Sequence, residues 1–157
     1  MNEYTAKKLG EVLAFNHIST DTLAKGRSAL VEMIGEEKVL DIEEKNRIHG
    51  QELMRIATDG AVIDTTLAKA DATGEKLIAM RKIYVADQWN NANELLEWSG
   101  FFEGATIVHW ALVRGIAEAI NHEGLLLLCT EAINWHYELL ELAESELVAI
   151  GQDKATV

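Results

Sequence analysis

The spacing of apolar residues along this chain is helical almost from end to end. Apolar side chains recur every three or four residues, and no run of alternating apolar and polar residues is long enough to predict a strand. The chain also contains no proline, a residue that breaks helix interiors and is common in β turns. The pattern therefore predicts an all-α protein.

Cap residues, glycines and apolar spacing together predict six helices, separated by short connections. We expect them to cover residues 3–17, 21–34, 36–58, 74–98, 101–121 and 123–150. The stretch 61–72 is ambiguous, and a short helix interrupted near Gly74 is the favoured interpretation. Because the connections are short, neighbouring helices are expected to be antiparallel.

The predicted architecture is an up-and-down antiparallel bundle with four long helical segments and an N-terminal helical hairpin. We expect one domain, with the hairpin at 1–35, the main bundle at 36–150 and a tail at 151–157. The hairpin carries apolar residues that one bundle core would not cover: Leu9, Val12, Leu13, Leu23, Leu30, Val31 and Ile34. A symmetric homodimer is therefore expected, and packing of the hairpin on its own long helices is the monomeric alternative.

Length and cysteine content favour a compact cytoplasmic protein. A chain of 157 residues that is 48% hydrophobic can bury a substantial core without disulfides. Cys129 is the only cysteine, and a lone thiol fits a reducing compartment and a small core residue. No apolar run reaches the roughly 18 residues of a membrane span, so we expect no membrane association.

The charge of the chain is acidic and unevenly distributed. The formal net charge is −12, and only Arg114 and Lys154 follow Lys82 against twelve acidic residues. Such a surface repels phosphate backbones and anionic lipids, so we expect neither nucleic-acid nor membrane binding.

The strongest indication of chemistry is a pair of histidines on predicted apolar faces. At about 100° per residue, His109 and His136 each fall near the centre of the apolar face of their helix. Both also lie about 20 Å from the turn that joins the two helices, at a rise of about 1.5 Å per residue. We therefore expect the two imidazoles to be buried and to face each other.

Other polar and aromatic residues are predicted at the same height of the bundle. His49 lies on the apolar seam of the third helix, with Val39, Ile42, Asn46, Leu53 and Ile56. The residues predicted to line a ligand pocket around the histidines are Gln88, Trp89, Asn91, Trp110 and Trp135.

Imidazole nitrogens are good ligands for transition metals, and hard-ion redox chemistry adds carboxylates. The predicted metal ligands are His109 and His136, with His49, Glu94 and Asp87 as further candidates. Fe, Mn and Zn are the metals that such a set would suit.

Two functions of different classes remain open at this stage. The first is binding of a metal ion or a compact ligand at His109 and His136, with a ferritin-like oxidoreductase as one form by analogy of architecture alone. Ferritin-like di-iron proteins carry Glu-x-x-His on two helices, and no histidine here has Glu three positions before it. The second is a non-enzymatic regulatory or scaffolding bundle that acts through homo- or hetero-oligomerisation, with purely structural histidines. Whether the protein is an enzyme is left open.

Overall fold

The computed structural model describes residues 1–156, which form six helices and no strand. The helices are α1 (Glu3–Lys25), α2 (Arg27–Ile34), α3 (Glu36–Asp59), α4 (Ile63–Val85), α5 (Ala92–Ala119) and α6 (Glu123–Ala155). The predicted all-α helical bundle is confirmed. Five of the helices are 23 to 33 residues long, one more than the sequence predicts.

Contacts between the helices give their directions. α1 and α4 are parallel, because Thr66 donates to the carbonyl of Ala6 near one end while Arg81 donates to Thr22 near the other. α5 runs opposite to α1, since Phe15 packs on His109 and Gly26 lies at Leu95. α3 is also antiparallel to α1, and α5 and α6 form an antiparallel hairpin.

α1 is the central helix and packs against α3, α4 and α5. Five of the apolar residues that motivated a dimer are therefore buried within one chain: Leu9, Val12, Leu13, Leu23 and Leu30. The reasoning that these residues need a second copy is wrong, because other helices of the same chain, α3, α4 and α5, pack on α1 and α2. Association of the protein itself stays a prediction.

α1 continues past the predicted end at Asn16 and His17. The polar residues there do not cap helices. Thr20 donates to the carbonyl of Asn16 within the helix, and Asn16 donates across to the carbonyl of Asn46 on α3. Side chains that could cap a helix thus form hydrogen bonds from inside α1. The second helix is therefore shorter than the predicted 21–34, and α2 has only eight residues.

The prediction of one helix over residues 74–98 is wrong. The helical conformation is interrupted at residues 86–91, whereas residues 71–74 and 99–100, where we expected interruptions, lie inside helices. Ala86 adopts φ 51°, which ends α4, and Asn91 caps α5 by accepting from the backbone N–H groups of Asn93 and Glu94. Ser99 lies inside α5 and donates to the carbonyl of Leu95. The missed signal was Asn91 with Glu94 three residues later, a pattern typical of helix starts.

The end of α6 differs from the predicted tail at 151–157. The helix runs to Ala155, and Val157 lies outside the described residues. The apolar faces predicted for the third and sixth helices are confirmed in their main part, since Val39, Ile42 and Leu53 of α3 and Cys129 of α6 are buried. Burial raises the pKa of Cys129 to about 12, which fits a core residue.

Among residues 1–156, no helix combines the length and the apolar character that crossing a bilayer requires.

Gly10 marks the closest approach of α1 and α4 and provides a test of the packing. A methyl group at Gly10 would lie 2.7 Å from Cβ of Lys69 and closer still to the carbonyl oxygen of Thr66. Gly10→Ala should therefore lower the free energy of unfolding by about 1–3 kcal/mol, measured by urea denaturation.

Gly74→Ala is the matched control, because a methyl group there meets no atom within 4 Å. It should raise the free energy of unfolding by up to about 1 kcal/mol, as expected for a glycine inside a helix. Equal effects of the two substitutions would contradict the close contact of α1 with α4.

Candidate functional site

A buried carboxylate and a buried imidazole meet between α5 and α6. Nδ1 of His136 donates to Oε2 of Glu103 over 2.5 Å, and each residue is only 5% exposed. His136 is buried as the sequence predicts, but its partner is Glu103, six positions before His109 on α5. A buried charged or polar group needs such a partner, because its lost hydration would otherwise destabilise the fold.

Sequence reasoning missed Glu103 because it assigned the wrong face of α5 to the core. At about 100° per residue, the face predicted inward around His109 also contains Leu112 and Ile120, and both are exposed. The buried positions that continue the face around Glu103 are Thr106, Ile107, Trp110, Val113 and Ala117. α5 packs on α6 with this face and on α1 with a neighbouring face, so apolar residues surround much of the helix and blur its periodicity.

His49 lies behind His136 and is almost fully buried. The ring centroids of His49 and His136 are 6.5 Å apart, and the ring of Trp110 is 6.3 Å from His49. Nε2 of His49 has no hydrogen-bond partner, and the nearest carboxylate oxygen, Oε1 of Glu131, is 3.7 Å away. Burial lowers the pKa of His49 and the neighbouring His136 lowers it further, while Glu131 opposes both effects.

Basic residues of α3 border this cluster. Nζ of Lys45 is 2.7 Å from Oε1 of Glu131, and this hydrogen bond lowers the pKa of the Glu131 carboxyl. The ammonium groups of Lys38 and Lys45 also lie over the ring of Trp135, 4.5 and 5.8 Å from its centroid. Nε1 of Trp135 is buried without a hydrogen-bond partner, like Nε2 of His49.

Glu103 also lines a partly open cavity of about 70 Å³ between α1, α2, α3, α5 and α6. Among the described residues, Oε1 of Glu103 has no hydrogen-bond partner, whereas Oε2 is held by His136. The polar residues Ser19, Thr22 and Ser99 also border the cavity. The apolar walls include Leu23, Leu30, Ile42, Leu96, Phe102 and Leu139.

His109 lies on the α1 side of α5, away from the Glu103–His136 pair. Its Nδ1 is 2.8 Å from the carbonyl oxygen of Ala105, and its ring packs on Phe15 at 4.7 Å. Its Nε2 is 4.0 Å from Oε2 of Glu11, and its side chain is 36% exposed. The structure therefore joins His136 with His49 and Glu103, and joins His109 with Phe15 and Glu11.

The residues predicted around the histidines are dispersed. Gln88 and Asn91 hydrogen-bond each other in the connection from α4 to α5, and Trp89 in the same connection stacks with Lys25 and Arg81. Of the predicted tryptophans, Trp110 lies beside His49 and Trp135 beside the lysines of α3. None of the five lines the Glu103 cavity.

Both predicted carboxylate ligands are also remote from the pair. Asp87 is exposed in the connection before α5, and Glu94 is in the first turn of that helix. Glu94 precedes Glu103 by nine residues, about 13 Å along the helix axis. Within residues 1–156, no group of three or more His, Cys, Asp or Glu side chains is placed to hold a metal ion.

Comparisons with known proteins identify no relative of this chain. No family model matches it, and neither the curated proteins nor the solved structures include a significant match. The site is therefore interpreted from its own chemistry.

The coupling of Glu103 and His136 can be measured with a double-mutant cycle at pH 7. Glu103→Leu and His136→Phe should each lower the free energy of unfolding by about 3 kcal/mol, because each leaves a buried polar partner unsatisfied. The double variant should lose less than the sum, with a coupling of about 2 kcal/mol. Additive losses in urea denaturation would show that the two side chains do not interact.

Proposed function

We propose that the protein binds a compact, largely apolar organic molecule with one hydrogen-bond donor group, in the cavity beside Glu103. The observation that carries this proposal is the free Oε1 of a buried carboxylate whose other oxygen is fixed by His136. Small-molecule sites typically combine apolar walls with a few placed polar groups. This proposal keeps the compact ligand that the sequence suggested, but places its binding site at Glu103 and not at His109.

The chemistry of the cavity defines the ligand class. A carboxylate accepts hydrogen bonds and attracts cations, so a primary amine in its ammonium form fits best and an alcohol fits next. A ligand carboxylate would be repelled by Glu103. Leucine and phenylalanine side chains around the cavity favour a short aliphatic body attached to the donor group.

Binding of three matched probes tests this proposal. Butylamine should bind more tightly than butanol, and butyrate should not bind, as followed by NMR chemical shifts of Leu96 and Ala143, which line the cavity. Glu103→Gln should weaken butylamine by about tenfold, because the hydrogen bond to a charged group is lost.

Two further variants control for nonspecific effects. Ser99→Leu should abolish binding of all three probes by filling the cavity, whereas Ser145→Leu on the exposed side of α6 should leave binding unchanged. Equal binding of butyrate and butylamine, or no binding of any probe, would rule out the proposed site.

A second candidate function is association of two copies through the α4–α5 apolar face. We define this face by its exposed side chains, Met80, Ile83, Tyr84, Phe101, Val108 and Leu112. The rings of Tyr84 and Phe101 stack at 6.0 Å, which joins the two helices into one surface. A contiguous exposed apolar surface on an acidic protein favours an interaction site.

A second copy of this chain is the partner that the face suits. Phe101 and Val108 flank Gly104, where an added methyl group would meet no atom within 4 Å. If α5 of one copy crosses α5 of the other antiparallel at Gly104, Phe101 of each copy lies beside Val108 of the other. This self-complementarity is what a two-fold interface requires. This self-complementarity supports the homodimer predicted from the sequence, but through the α4–α5 apolar face and not through the N-terminal hairpin.

Analytical ultracentrifugation of the full chain tests the dimer. Val108→Glu should raise the dimer dissociation constant by at least about tenfold, or about 1.4 kcal/mol, because it buries an unpaired carboxylate. Leu127→Glu is the control, since Leu127 is exposed on α6 outside this face, and it should not change association. A wild-type chain that sediments as a monomer at high concentration would contradict the proposal.

A further inference from the structure

Four titratable side chains connect the protein surface with the cavity. They are, from outside to inside, Glu131, His49, His136 and Glu103. Glu131 is half exposed on α6, the two histidines are buried, and Glu103 borders the cavity. Each of the four side chains neighbours the following one, so the series consists of titratable groups only.

The outer part of this series of side chains contains a buried nitrogen without a hydrogen-bond partner. Nε2 of His49 is buried without a hydrogen-bond partner, and Oε1 of Glu131 is 3.7 Å from it. A modest movement of the exposed Glu131 side chain brings the two atoms into hydrogen-bond distance. Lys45 holds the same oxygen at 2.7 Å, so the carboxylate stays close to His49.

The inner part of the series consists of one gap between the two imidazoles and one hydrogen bond. The rings of His49 and His136 have centroids 6.5 Å apart, a separation that one water molecule between ring nitrogens can span. Nδ1 of His136 then contacts Oε2 of Glu103 at 2.5 Å. Glu103 borders the cavity.

We propose that Glu131, His49, His136 and Glu103 form a proton relay between solvent and the cavity. Glu131, whose pKa is lowered by the hydrogen bond from Lys45, holds a proton only briefly and passes it to Nε2 of His49, which releases the proton of its other ring nitrogen. That proton reaches Nε2 of His136, directly or through water, and Nδ1 of His136 releases its proton to Oε2 of Glu103.

Each step of the relay breaks one O–H or N–H bond and forms another, and no electrons are exchanged. The net result is the movement of one proton from Glu131 to Glu103. Both imidazoles end in the opposite tautomer, and passage of a proton in the reverse direction restores them.

The electrostatic surroundings suit a transient carrier. Burial and the neighbouring His136 lower the pKa of His49, so its ring is neutral at pH 7 and accepts a proton only briefly. Lys45 disfavours the charged ring and Glu131 favours it. Trp110, the aromatic neighbour on α5, does not titrate.

The relay would give the cavity an acid–base function. With a ligand filling the cavity, the relay would still let the Glu103 carboxyl gain or lose a proton. This role rests on the proposed ligand site, but the relay itself is tested without any ligand. Failure of the relay would thus leave ligand binding unaffected, and failure of the probes to bind would not affect the relay.

NMR of the full-length protein labelled with ¹⁵N provides the test. The readout is the exchange rate with water of the proton between His136 and Glu103. Glu131→Gln and His49→Phe should each slow this exchange by about tenfold or more, since both remove a step of proton transfer. Glu131 is half exposed, so Glu131→Gln should leave the unfolding temperature unchanged and serve as the variant that certainly folds.

Glu141→Gln is the matched control, because it removes an exposed carboxylate of α6 outside the chain of four side chains. It should leave the exchange rate at the wild-type value. We also expect the resonance of the proton between His136 and Glu103 to be broadened by exchange in the wild type and to be sharper in Glu131→Gln. Rates within about twofold of wild type in Glu131→Gln and His49→Phe, or equal broadening in all variants, would overturn the relay.

Discussion

Burial of α1 on several sides is the constraint from which the other helix positions follow. α4 approaches α1 so closely at Gly10 that a side chain would not fit, and Arg81 holds the far ends of the two helices together. The guanidinium of Arg81 is buried and donates to Thr22 and Asp21. Since α3 and α4 cover other sides of α1, α5 packs on the side that is left.

The position of α5 explains the separation of the two histidines. One face of α5 packs on α1, and His109 lies there against Phe15. Another face packs on α6, and Glu103 lies there with His136. Six residues in a helix correspond to a rotation of about 240°, so His109 and Glu103 point in different directions. A helix with only one apolar face could not pack on both α1 and α6.

Burial of Glu103 opposes the stability of this arrangement. A carboxylate among leucine and phenylalanine side chains loses its hydration, and one hydrogen bond from His136 offsets only part of that loss. Nε2 of His49 and Nε1 of Trp135 add two buried polar atoms without partners. Buried polar atoms without partners are uncommon in a core, and these two lie on α3 and α6, outside the proposed ligand cavity.

The sequence alone determined the all-α class, the positions of α3 and α6 and their buried faces, and the burial of His49 and His136. These properties follow from local spacing, which each helix displays independently of its neighbours. The tertiary structure decided that α1 continues past Asn16 and that α5 continues past Ser99, because both side chains can either cap a helix or form other hydrogen bonds. It also decided that Glu103 is the partner of His136. A glutamate on a helix is ordinarily exposed, and only the packing of α5 between α1 and α6 turns this one inward.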